Sequence, residues 1–301
     1  MYKAASKPKN SAMNTSSLKA FGAMSSAIRM VIGFSIGVCL TICVSAQAET
    51  NADFLKITQS GVLKVAVYND FAPFSSTSGG IDIDIAEALA KKLGLKVSLL
   101  PFPAGEDLGD DLRNMVWKGH YLGYGPADVL LHVPVDPLLI NQNDKVSIFA
   151  PYHRETVRLV RDIRKVPEFD SLDSIAGKNI GAEKISIGAM LLLGAEDGKF
   201  RESVKIFPTA TEALEKLKAG ELDAVVANRS EIESVIGKDP HFQISEVAFQ
   251  RLPSKGWVIG MAVKKDDAEL TKALQDATDA LVSSGEMAQI FARHGVEVVA
   301  P

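Results

Sequence analysis

Between Leu63 and Val133 the sequence alternates short apolar runs with amphipathic segments, and the alternation starts again after Ser171. Leu63 to Tyr68 (LKVAVY) has the β-rich character of a strand, and Asn69 to Phe74 (NDFAPF) breaks it with turn chemistry. Ile83 to Leu93 (IDIAEALAKKL) places apolar residues at the i, i+3, i+4 and i+7 spacing of a helix, with Gly94 as its stop. Lys96 to Leu100 is the next strand, Asp111 to Lys118 a short helix, and Asp128 to Val133 (DVLLHV) a buried strand. Strand and helix in this order predict a parallel sheet covered by helices.

The second series approaches a strand at Asn179 to Ala182 through Ser171 to Ile175, and a helix is expected from near Ser186. Ala210 to Ala219 is an amphipathic helix stopped by Gly220, and Ala224 to Ala227 the strand after it. A strand at Gly256 to Val263 and a helical region from Asp267 to Arg293 close the chain. Two such units imply two α/β lobes. Ligands of open parallel sheets sit at the carboxyl ends of the strands, which places the expected site in a cleft between the lobes.

The N-terminus has a different character. Met1 to Ala48 holds five Lys or Arg and no Asp or Glu, and Met30 to Val44 is an apolar run followed by Ala46-Gln47-Ala48. That run of roughly 15 residues is short for a membrane span and suits a secretory signal, with cleavage expected after Ala48 and export to the periplasm. The remainder carries 28 basic and 37 acidic side chains, a balance that repels phosphate backbones and argues against nucleic acid as a partner. Both cysteines, Cys39 and Cys43, lie in the signal, so the mature chain depends on its core and not on disulfides.

The ordered segments LKVAVYNDFAPFSS, GGIDIDIAEALAKKLG, ADVLL, IFAPYHRE, SLDSIAGKNIGAE, TATEALEKLKAGELDAVVAN and GEMAQIFARHG resemble the periplasmic solute-binding proteins of family 3, the polar-amino-acid type. The resemblance runs from about Leu63 to Gly295. It implies the type II periplasmic binding protein fold, two α/β lobes joined by a two-strand hinge. It also implies capture of a solute by hinge closure and delivery to an ABC permease in the inner membrane. The chain would then divide into a signal at 1–48, lobe 1 at 49–157, lobe 2 at 158–257 and a return to lobe 1 at 258–301. Crossings fall near Thr156 to Val160 and Trp257 to Val263. A monomer is expected.

Two departures bear on the solute. Members that bind α-amino acids hold the carboxylate with an Arg after the DVLL-type strand, yet His132 to Tyr152 contains none. They hold the α-ammonium with an Asp beyond the GELDAVVA-type strand, where this chain has Asn228. Losing the bidentate Arg and the charged Asp together argues against an ordinary α-amino acid and leaves a small polar or anionic solute. Arg113-Asn114, DVLLHVP and PYHRET also resemble a subgroup found beside quinoprotein alcohol dehydrogenases, which use pyrroloquinoline quinone. The alternative partner is therefore a periplasmic quinoprotein dehydrogenase, which this chain would serve as helper or cofactor-binding protein.

Candidate ligand contacts are Asn69 and Phe71 after the first strand, Arg113 at a helix start, and His132 and Asp136 after the DVLL strand. Arg154 near the first crossing, Ser186 at a helix start and Asn228 complete the set. Phe74 is assigned to the core, and WKGHYLGYG to a loop cluster that either floors a pocket or packs under the loop. His120, His132 and His153 lack metal-ligand spacing, so no metal site is expected, nor any cofactor. An enzyme of the cyclohexadienyl dehydratase type shares the fold and needs an acid or base in the cleft. Asp136, Glu155 and Glu183 are available but sit in no catalytic motif, so the chain is expected not to be an enzyme.

Overall fold

The computed structural model describes residues 53–249 and 255–301. The signal at 1–48 and its cleavage site lie outside the described residues. After a helix α1 at 53–60, the first lobe opens with β1 (Val62–Tyr68), α2 (Ile81–Lys92) and β2 (Lys96–Phe102). It continues with α3 (Leu108–Leu112), a π-helical turn (Arg113–Trp117), β3 (Val129–Pro134), α4 (Pro137–Gln142) and β4 (Val146–Glu155). The second lobe holds β5 (Val157–Asp162), β6 (Ile180–Glu183), α5 (Ile187–Gly194) and β7 (Val204–Phe207). It ends with α6 (Ala210–Lys218), β8 (Ala224–Asn228), α7 (Arg229–Ile236) and β9 (Phe242–Glu246). The chain then returns to the first lobe as β10 (Trp257–Lys264), α8 (Ala268–Ser283) and α9 (Glu286–Arg293).

Two five-stranded sheets result, β2-β1-β3-β10-β4 and β7-β6-β8-β5-β9. Alternate side chains enter different cores. Val65 and Val67 pack with α2, α8 and α9, whereas Ala66 packs with Phe102, Leu130 and Val133. In the second lobe Val226 and Val225 divide in the same way. Burial on both faces explains why these strands are nearly continuous apolar runs.

The expectation of purely parallel sheets is corrected. β10 runs antiparallel to β3 and β4, and β5 runs antiparallel to β8 and β9. Each of these strands enters its sheet from the other lobe, so it runs against neighbours that point toward the crossing. Val157 already pairs in the second sheet and Trp257 in the first, each one residue from the expected boundaries. The passage from β4 to β5 is a single residue, Thr156, and it is tight. A Cβ on Gly256 would lie 1.9 Å from the Glu155 carbonyl oxygen, so only glycine fits there.

Two helices also differ from expectation. The one expected at Asp111 starts at Leu108, because the Asp107 carboxylate accepts from the Asp110 N–H at 2.9 Å and caps it there. The C-terminal helical region divides at Gly285, whose φ of 77° lies in the left-handed region. α1, β4, β7, β9, α4 and α7 had no predicted counterpart. Among the described residues no helix is long and apolar enough to cross a membrane.

Candidate functional site

The register defines where the cleft must be. β4 lies parallel to β3, since both oppose β10, so its carboxyl end coincides with those of β1 and β3. β5 begins at Val157 opposite Asn228, the carboxyl end of β8. The carboxyl ends of both sheets therefore meet at Thr156 and face one another. This is the location at which open α/β sheets bind ligands.

On the first lobe's side, Asp82 lies on the buried face of α2, next to Ile81 and Ile85. Its Oδ1 accepts from the Tyr152 hydroxyl at 3.0 Å, and its Oδ2 lies 3.1 Å from His132 Nδ1. The Tyr152 oxygen in turn accepts from the His132 N–H at 3.1 Å. Burial, with the Asp82 charge beside it, pushes the Tyr152 phenol well above its ordinary value. His132 has φ 61°, a conformation that favours glycine, and this closed triangle holds it there. Its ring meets Phe71 edge-on at 4.7 Å and Phe74 at 4.1 Å.

At the crossing a second buried polar group forms. Nδ1 of His153 accepts from the Val299 N–H at 3.2 Å, which leaves the proton on Nε2, 3.1 Å from Ser230 Oγ. Burial above all, and then the charges of His132 and Arg229, push His153 down to about 3. Glu155 is 2% exposed; its Oε1 accepts from the Thr156 N–H at 2.8 Å. Its Oε2 lies 3.9 Å from His153 Nε2 and beside Ser230, whereas Thr156 Oγ1 has no hydrogen-bond partner among the described residues. Glu231 accepts from the Asn228 N–H at 2.8 Å. Burial, with Glu183 and Glu155 nearby, pushes it up to about 8. Burial also raises Glu155 and Glu183.

The residues singled out from sequence occupy varied places. Phe71 and His132 touch, and Phe74 is fully buried as assigned. Ser186 caps α5, accepting from the Ala189 N–H at 3.0 Å and donating to the Glu183 carbonyl at 2.8 Å. Asn228 starts α7. Asp136 caps α4 by accepting from the N–H groups of Leu138 and Leu139. Arg113 lies within a continuous helical stretch, where α3 passes into the π-helical turn, and pairs with Asp110 at 2.7 Å. Arg154 donates to the Lys255 carbonyl at 3.3 Å. The Asn69 N–H donates to the Phe102 carbonyl, and Asn69 borders a cavity of about 400 Å³ with Tyr68, Ser76, Ile83 and Leu99. In the loop cluster His120 stacks on Tyr124 at 4.2 Å, Trp117 and Tyr124 pack against the first lobe's core, and Tyr121 is 88% exposed.

Asp82, Tyr152, Ser230 and Glu231 were not singled out. Signals existed for two of them. Asp82 interrupts an apolar helical stripe, and Asn228-Arg229-Ser230-Glu231 has the spacing of a capping box, which places Glu231 at the helix's third position.

The architecture is that of the type II periplasmic binding proteins, and the structural comparison agrees. An ancestral cationic amino acid solute-binding protein superposes with a TM-score of 0.62 at 20% identity, over 80% of this chain and 98% of that one. A polar amino acid ABC uptake transporter substrate-binding protein from Streptococcus thermophilus gives 0.59 at 21%, over 82% and 90%. In sequence, the probable histidine-binding protein of Neisseria gonorrhoeae is 25% identical over 244 residues, 77% of this chain and 82% of that protein. These three are amino-acid-type solute-binding proteins by name, in keeping with the family 3 resemblance. Cyclohexadienyl dehydratase of Pseudomonas aeruginosa matches at 38% over only 90 residues, 34% of its length. No family model matches the chain. None of these relatives supports the link to a quinoprotein.

Proposed function

We propose that this chain is an exported solute-binding protein that encloses a small polar solute between its lobes and passes it to an ABC permease. The observation that carries this reading is the meeting of both sheets' carboxyl ends at a one-residue crossing, which makes the cleft a closable site. In this reading the signal is cleaved after Ala48 and the monomer works in the periplasm. Residues 49–157 and 258–301 form one lobe and 158–257 the other. The chain binds and does not catalyse.

The relatives' names speak of histidine and cationic amino acids, which supports a solute of that size and polarity. We place the grip elsewhere than on an ordinary α-amino acid. Where an Arg would hold a carboxylate, α4 presents Leu138 and Leu139, and the Asp136 carboxylate already occupies their N–H groups. A second carboxylate there would meet like charge. Phe71, His132, Arg154, Ser186 and Asn228 remain the proposed contacts.

Thermal unfolding against amino acids, polyamines, sugars, organic acids and pyrroloquinoline quinone tests the reading. A solute at 100 times its Kd adds about 2.7 kcal/mol of stability. A shift with a polar solute is expected. Shifts with ordinary α-amino acids would overturn the argument from α4, and a shift with the quinone alone would move the function to the dehydrogenase system.

A further inference from the structure

Helix α5 has the sequence IGAMLLLG, without one polar side chain, yet it lies on the surface. A helix apolar all round normally has protein on every side. Gly188, Ala189 and Leu192 face the core, and a Cβ on Gly188 would stand 2.9 Å from the Val226 carbonyl oxygen. That close seat fixes the helix's rotation and turns Met190 outward, 66% exposed. Beside it, Ile185 is 91% exposed and holds φ 62°, an outlier for a β-branched residue. α4 is the counterpart on the first lobe. It opens Pro-Leu-Leu-Ile, none of its residues is buried, and Leu138 is 70% exposed.

Both helices start at carboxyl ends of parallel strands, α4 after β3 and α5 after β6, so they stand on facing rims of the cleft. Their flanking charges are opposite. Asp136 at the start of α4 and Lys184 ahead of α5 are both exposed, and neither has an ion-pair partner among the described residues. We infer that the partner of each apolar face is the other. Leu138 of α4 closes against Ile185, Ile187 and Met190 of the α5 rim as an apolar latch, with Asp136 and Lys184 meeting beside it.

The inference rests on the closing cleft proposed above, but its test needs no solute. Cys39 and Cys43 are the only cysteines, so with both changed to Ser the chain has no other thiol. In that background Leu138→Cys with Ile187→Cys should form an intramolecular disulfide under mild oxidation. The rate should be roughly tenfold above that of a Tyr121→Cys/Ile187→Cys control, because closure raises the effective concentration of the first pair. Equal rates would overturn the latch. Small-angle scattering gives an independent reading. Leu138→Asp with Met190→Asp should enlarge the radius of gyration, and Leu138→Lys with Met190→Asp should restore it; an unchanged radius in the first variant would also overturn the latch. A latch without any solute-induced thermal shift would count against the proposed function alone, and a thermal shift without cross-linking against the latch alone.

Discussion

Two buried polar groups lie on either side of Phe74, and they are built on opposite terms. In the first, Asp82, His132 and Tyr152 bond to one another in a closed triangle. In the second, at the crossing, Thr156 Oγ1 is buried without a partner among the described residues, Glu155 is raised by burial beside Ser230, and Glu231 and His153 are far from their ordinary values. A satisfied network rigidifies a core, whereas an unsatisfied one costs stability wherever it persists. The contrast places the satisfied network under the first lobe and the strained electrostatics at the crossing, the place that the proposed closure would have to bend.

Removing the aromatic between them should have the largest effect. Phe74 has no exposed surface and lies 4.1 Å from the His132 ring and 6.2 Å from that of His153. Phe74→Ala should cost about 3–5 kcal/mol in urea unfolding. Breaking the first group comes next. Asp82→Ala leaves the Tyr152 hydroxyl and the His132 ring without their acceptor in the core and should cost about 2–4 kcal/mol. The same measurement on Asp82→Asn should show a smaller loss, since the amide keeps one acceptor.

The second group should reveal itself through pH. Glu231 rises from 4.5 to about 8, so its contribution to stability is complete below pH 4.5 and is lost as pH climbs toward 8. His153 falls from 6.5 to about 3, so its contribution is complete above pH 6.5 and is lost on acidification toward 3. Between pH 4.5 and 6.5 the two slopes oppose, which predicts a stability plateau there with decline on both sides. Glu231→Gln should remove the alkaline decline above pH 6.5, on the order of 2 kcal/mol, and let the His153 rise continue through the former plateau to pH 6.5. A profile that keeps its alkaline limb in this variant would assign the titration elsewhere. The smallest effect belongs to Thr156→Val, which removes an unpartnered hydroxyl at nearly constant shape. It should change stability by under about 1 kcal/mol, in either direction, where cutting the Asp82 triangle costs several times more.

Much of the scaffold was legible because its elements are written in local pattern. The strand Leu63 to Tyr68 and the stop at Gly220 follow from period and punctuation, whereas α2 starts at Ile81, two residues before the expected Ile83, so its buried stripe takes in Ile81 and Asp82. Ser186 as a helix cap was equally local, one side chain three residues from its donor. The site was less legible. Arg113 was placed at a helix start because the helix was begun at Asp111, passing over Asp107, which caps it at Leu108. Asp82 falls on the stripe of Ile85, Ala86 and Leu89 once the helix is started at Ile81, and packing then holds it inside while Asp84 pairs at the surface with Arg293.

Period, turn chemistry and segment order were enough to determine two α/β lobes, because strand and helix formation depend on neighbours within a few positions. Strand direction around the crossing and the His132 triangle across 50 and 20 residues were decided by tertiary structure. Those contacts join residues that share no local pattern, and their energies come from burial and charge that exist only once the lobes have folded.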